Sequence, residues 1–144
     1  MEITLDNLAA TEALAARLAH LARAGDALLL QGPLGAGKSA LARAFLRAAA
    51  GDPALEVPSP TFTLVQSYEL PGGLAAHHFD LYRLAGPEGL LELGWDEARE
   101  GIVLVEWPER LGRLSPAGAL HLRLALGIGE EDRIAHLSGW EDRL

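Results

Sequence analysis

Cysteine is absent from these 144 residues, which excludes disulfides, thiolate metal sites and cysteine nucleophiles. Positive charge is scarce as well: twelve lysines and arginines stand against twenty acidic residues, a net charge of −8. That sign is wrong for a domain whose affinity comes from neutralising nucleic-acid phosphates, so any RNA involved is expected to be held by a partner. No apolar run approaches the ~20 residues of a membrane span, and Met1-Glu2-Ile3-Thr4-Leu5-Asp6 carries no basic leader. The expectation is a cytoplasmic protein with no membrane contact. Aromatic residues are few, 6% against 49% apolar, so the core has to come from leucine, valine and alanine, as is ordinary in α/β proteins. The length predicts one domain over residues 1–144, large enough to bury a core without staples. No internal repeat, low-complexity tract or linker interrupts it.

Lysine is nearly missing too, and the one that remains is informative. Lys38 sits in Gly32-Pro33-Leu34-Gly35-Ala36-Gly37-Lys38-Ser39, a full match to the phosphate-binding P-loop pattern. Every other basic side chain is arginine. A P-loop uses lysine as a compact point charge reaching the β- and γ-phosphates, where a planar guanidinium is longer, wider and shaped for bidentate pairing. The context agrees. Ala27-Leu28-Leu29-Leu30-Gln31, before the loop, is a short continuous apolar run like a central strand buried on both faces. The alanine-rich run from Lys38 to Ala50, after it, is strongly helix-forming and stops at Gly51-Asp52-Pro53. Strand, loop and helix in that order aim backbone N–H groups and the positive helix end at a phosphate. The expected fold is therefore α/β, of the P-loop NTPase type, with three α/β/α layers around a mixed sheet.

Elsewhere, Glu2 to Leu5 reads as a short edge strand and Thr11 to Ala24 as an amphipathic helix, with Thr11 at its N-cap. Thr61 to Leu70 and Leu74 to Tyr82, separated by Pro71-Gly72-Gly73, read as a hairpin, which places antiparallel strands in the sheet. Pro87 to Leu93 and Trp95 to Arg99 suggest short helices. Ile102-Val103-Leu104-Val105-Glu106 is a second buried-strand signature, and Leu120 to Leu126 with Arg133 to Leu137 suggest a closing pair around Gly127-Ile128-Gly129.

Magnesium takes near-octahedral oxygen coordination from few protein groups, and Ser39 supplies the P-loop hydroxyl. A carboxylate at the end of a neighbouring strand is also required, and two compete. Glu106 follows four aliphatic residues and should emerge at the carboxyl edge of the sheet, where ligands bind in open α/β folds. Asp80 ends the less clearly buried run His77-His78-Phe79-Asp80, and on pattern alone it serves equally as a cap for the next turn. The two histidines have no shared metal role, because neighbours on a strand point to opposite faces. On residues alone, Thr61 is a polar strand-start residue, Trp107 is core packing, Arg133 is a surface arginine and Arg83 makes an ordinary ion pair.

Taken in order, the P-loop, Ser59-Pro60-Thr61-Phe62-Thr63-Leu64-Val65, His78-Phe79-Asp80-Leu81-Tyr82-Arg83-Leu84, Glu92-Leu93-Gly94 and Val105-Glu106-Trp107-Pro108-Glu109 resemble the TsaE family. Those are small bacterial ATPases required for threonylcarbamoyladenosine modification of tRNA, and the resemblance spans nearly the whole chain. It implies ATP and Mg2+ as cofactors, TsaD and TsaB as protein partners, and tRNA reached only through the complex. It implies Lys38, Asp80 and Glu106 as the catalytic set, with Ser39, Glu106 and Asp80 on the metal side. Gly35, Ala36, Gly37, Lys38, Ser39 and Ala40 would hold the phosphates. Thr61 would respond to the γ-phosphate as a switch, Trp107 would lie near the nucleotide, Thr11 near the adenine, and Arg133 would approach the nucleotide. Arg83 becomes a candidate for phosphate charge stabilisation. Ser39 stands where the family often has threonine, which retains the hydroxyl. A small-molecule kinase stays open as a rival, though no arginine-rich insertion of lid size is present. So does a nucleotide-gated binding module without turnover, which keeps Lys38 and Ser39.

Overall fold

Eleven regular elements follow one another in the computed structural model, which describes residues Met1–Leu144. They are β1 (Glu2–Leu5), α1 (Leu8–Leu21), β2 (Ala27–Gln31), α2 (Lys38–Ala50), β3 (Val65–Glu69), β4 (Ala75–Asp80), α3 (Pro87–Glu92), α4 (Trp95–Ala98), β5 (Ile102–Glu106), β6 (Leu120–Leu126) and β7 (Arg133–Ser138). The strands form one sheet in the order β1-β7-β6-β2-β5-β4-β3. Its middle is parallel, β2 pairing with both β5 and β6, and β4 with β5. Both ends are antiparallel: β3 on β4, β7 on β6 and β1 on β7. The sheet is mixed, as expected.

The apolar runs of β2 and β5 make sense once both sheet faces are covered. Leu28, Leu30, Ile102 and Leu104 pack with Leu14, Leu18, Leu41, Phe45 and Leu46 of α1 and α2. Ala27, Leu29, Val103 and Val105 point the other way, into a smaller cluster with Leu90, Trp95, Ala98 and Leu111. A strand buried on both sides needs no polar alternation. β6 differs: Leu120, Leu122 and Leu124 are buried while His121 and Arg123 are exposed, because the second helical layer does not extend over this part of the sheet.

Several boundaries depart from expectation by one to four residues, and two of the departures move residues of interest. α1 begins at Leu8, capped by Asn7, whose side chain accepts from Ala10 N at 2.9 Å. Thr11 is therefore inside the first turns and buried, not an N-cap; Asn7 is the better-placed acceptor for the exposed helix end. The strand expected from Thr61 starts only at Val65. Residues 60–64 curl instead, Leu64 N donating to Pro60 O at 2.6 Å with Leu64 at φ 68°. Local hydrogen bonds, Ser59 to Thr61 at 2.7 Å and Gln66 to Thr63 at 3.0 Å, override the β-propensity of the two threonines. Thr61 is thus a turn residue.

Candidate active site

β2 ends where the P-loop begins, so the loop lies at the carboxyl edge of the parallel strands. Gly32 opens it at φ 147°, and a Cβ there would come within 2.5 Å of Leu124 O on the adjacent β6. Only glycine lets the loop pass that close to its neighbour. Gly37 is the N-cap of α2 in the left-handed region, and no side chain caps the helix. The N–H groups of the first turn are left without intrahelical or side-chain acceptors, an anion-receptive arrangement. Lys38 is buried and has no carboxylate partner. Its ammonium donates to Gly32 O at 2.6 Å and lies 3.8 Å from the centroid of the Trp107 ring. A carbonyl and a π-face hold the cation without neutralising it, so donors remain for an anion.

The two acids meet because β4 and β5 are parallel and in register, Asp80 beside Glu106. Both are buried, at 6% and 3% exposure, and both lie on the face that carries α2. Ser39 Oγ is 3.5 Å from Glu106 Oε1. The other Glu106 oxygen, Oε2, is 2.7 Å from His78 Nε2. Asp80 accepts from Thr61 Oγ1 at 3.2 Å and from the backbone N–H of Tyr82 at 3.1 Å. Asp80 therefore does cap the next turn, and its carboxylate also faces the cleft.

Trp107 follows Glu106 directly, at φ 60°. A left-handed conformation in a bulky aromatic is uncommon and costs energy that the surroundings must offset. It turns the indole onto Lys38 and within 4.9 Å, centroid to centroid, of the Tyr82 ring. Trp107 is half-buried over the cleft, not in the core as its residue type suggested. Arg83 makes no ion pair: it stays exposed, its guanidinium 4.6 Å from the exposed Phe62 ring, and it does not line the cleft.

Two cavities adjoin. One, of about 280 Å³, is lined by Gly35, Gly37, Lys38, Ser39, Ala40, Thr61, Asp80, Glu106 and Trp107 together with Leu34. The second, about 220 Å³, is lined by Asn7, Leu8, Thr11, Ala36, Gly37, Ala40, Glu130, Glu131 and Arg133. Gly37 and Ala40 border both, so the polar compartment and the α1-side compartment lie side by side at the start of α2. Arg133 is held at the junction, donating to Gly35 O at 3.2 Å and to the carbonyls of Glu130 and Asp132.

Residues 5–134 match the family described as Threonylcarbamoyl adenosine biosynthesis protein TsaE. This chain belongs to the TsaE family. Among TsaE relatives, the Rickettsia felis tRNA threonylcarbamoyladenosine biosynthesis protein TsaE is 35% identical over 136 residues, covering 94% of this chain and 78% of the relative. The Synechocystis protein of the same name is 40% identical over 119 residues, 79% and 74% of the two chains. Among solved structures, YdiB of Bacillus superposes with a TM-score of 0.78 at 28% identity, over 99% of this chain and 87% of that one.

Within this TsaE-family fold, His78, buried beside Glu106, is the residue of the site that sequence reasoning passed over. The signal was available: His78 and Asp80 are two apart on one strand and so share a face. What sequence did not reveal is that this face turns toward Glu106. His77 points the other way, its Nδ1 2.7 Å from Ser67 Oγ on β3, and burial pushes its imidazole below the ordinary value. The adjacent histidines thus divide their roles: His77 bonds across the hairpin to Ser67, and His78 bonds across the parallel pair to Glu106.

Proposed function

We propose that this chain binds ATP with a magnesium ion, hydrolyses it slowly, and serves threonylcarbamoyladenosine formation at position 37 of tRNA within a complex containing TsaD and TsaB. The observation that carries the reading is the convergence, at one sheet edge, of an uncapped helix start, a buried unneutralised lysine and two in-register carboxylates. The relatives' printed role in tRNA threonylcarbamoyladenosine biosynthesis supplies the process.

The residues present fit the nucleotide and the metal. The donors beside the loop are oxygens, the Ser39 hydroxyl and the Glu106 carboxylate, which suits a hard cation that shares its shell with phosphate and water. Such a cation, when bound, neutralises charge developing on the phosphates. Gly35, Ala36, Gly37, Lys38, Ser39 and Ala40 would hold the phosphate chain with backbone N–H groups, and Lys38, now on Gly32 O, would supply the positive charge for the β- and γ-phosphates. Asp80, tied to Thr61, positions the attacking water or a water on the metal. Thr61 sits on a short curled segment, its own hydroxyl bonded to Ser59 and to Asp80 beside the cleft, where a γ-phosphate sensor would be. Thr11, Ala36, Ala40 and Arg133 frame the compartment for the base and ribose. Trp107 shields Lys38 from water on the open side. Little covalent work is needed from the protein, since positioning and charge stabilisation dominate phosphoryl transfer.

The test is phosphate release from ATP by the purified chain, alone and then with TsaD and TsaB, using Lys38→Ala as the blank. Low turnover alone, rising with both partners and absent in Lys38→Ala, is expected. ATP binding without turnover in either condition would replace hydrolysis with a nucleotide-gated switch.

A further inference from the structure

We propose that His78 is a positioning residue for Glu106: its Nε2–H fixes one carboxylate oxygen so that the other is presented beside Ser39 as a single-oxygen magnesium ligand. This rests on the Mg·ATP reading of the cleft and names the group that sets its metal affinity.

His78 is 2% exposed and lies opposite Leu104, one same-face step along the sheet from the Asp80 and Glu106 pair. Its Nε2 meets Glu106 Oε2 at 2.7 Å, the length of a charge-assisted bond. Its Nδ1 is buried with no partner. A carboxylate is acceptor-only, so the Nε2–H tautomer makes the bond and leaves only a lone pair unpaired at Nδ1. The reverse tautomer sets two acceptors face to face and strands an N–H donor in the core. With Oε2 committed, Oε1 is the oxygen left on the Ser39 side, at 3.5 Å from its Oγ. The terminal torsion of a glutamate is otherwise broad, and the only other bond to this carboxylate is the long one from Ser39 Oγ. An outer-shell partner of this kind typically changes metal affinity or activity by 10–100-fold.

A purely structural histidine would alter stability and nothing else, so the test reads magnesium. ATPγS affinity is measured by calorimetry for the full chain in EDTA and across a Mg2+ titration. His78→Leu should leave the metal-free affinity unchanged, reduce the Mg2+-dependent gain by about tenfold or more, and lower kcat with KM for ATP held at saturating Mg2+. His78→Gln, which carries an N–H at similar reach, should recover most of both. A folded His78→Leu protein with the parent's Mg2+ dependence overturns the proposal and leaves the Mg·ATP reading standing. No Mg2+ dependence in the parent overturns that reading and the proposal with it. Nitrogen-15 NMR of the unsubstituted protein tests the same point without relying on variants that fold. The Nε2–H tautomer, with a shift on adding Mg2+ to the ATPγS complex, is expected, and an Nδ1–H tautomer refutes it.

Discussion

Lys38 is a buried cation with no counter-ion. Its contacts to Gly32 O and the Trp107 ring hold it in place and leave its charge unbalanced, so a bound polyphosphate would supply the missing anion. Lys38→Ala should weaken ATP binding by roughly 10–150-fold, the worth of a charged hydrogen bond of about 1.5–3 kcal/mol. Equilibrium titration of the two proteins with ATPγS measures it. Glu106 is placed differently, at the end of β5 within reach of the Ser39 hydroxyl and of His78, with no contact to Lys38. Glu106→Ala should therefore reduce turnover more than binding, and equal losses in kcat and affinity would contradict its metal-side role. Lys38 and the loop glycines were legible from the pattern alone, because a P-loop's chemistry is contiguous in sequence. The curled segment carrying Thr61 was not, because its hydrogen bonds to Ser59 and Asp80 outweigh a β-favouring composition.

The β3–β4 hairpin is the element that links surface and site. Its inner strand carries His78 and Asp80 on one face and His77 and Phe79 on the other, and Phe79 packs edge-on against Trp95 at 5.2 Å. His77 is pushed below its ordinary value of 6.5 by burial, so the unfolded chain binds that proton more readily than the folded one. Its contribution is fully present above about pH 6.5 and is lost as the pH falls through the depressed folded value. Urea unfolding at pH 7.5 and pH 5.5 should show the parent losing more stability on acidification than His77→Gln does. An identical loss in both would remove His77 from that account. β2, α2 and β5 were placed from sequence to the residue, because continuous apolar runs and an alanine-rich helix ending in glycine are strong local signals. α1 was placed late, because alanine and leucine continue the helical pattern without marking its start, which only Asn7 does.

At the scale of the molecule, the end opposite the cleft is fastened by the tail. Arg143 donates to both Asp26 oxygens at 2.6 and 3.1 Å and to Leu21 O, and lies 4.4 Å from the ring centroid of Trp140, a core residue. It ties the end of the chain to the close of α1 and the entry to β2. Arg143→Ala should cost about 1.5–3 kcal/mol and lower Tm by roughly 5–10 °C, measured by calorimetry. ATP turnover at a temperature where both proteins are folded should be unchanged, since Asp26 precedes β2 and the P-loop follows it.

Sequence alone determined the P-loop, the strand and helix that flank it, the two candidate acids and the family, because each is written in residues close together or in motifs of fixed order. The tertiary structure decided what those residues do to one another. Glu106 meets Ser39 across 67 positions and His78 across 28, and both contacts depend on parallel register between strands with no local pairing signal. It also decided that Trp107 turns onto Lys38 and that the compartment beside α1 shares a wall, Gly37 and Ala40, with the one that holds the two acids. Propensity and motif act over a few residues, whereas register and layer packing are settled by burying both faces of one sheet at once.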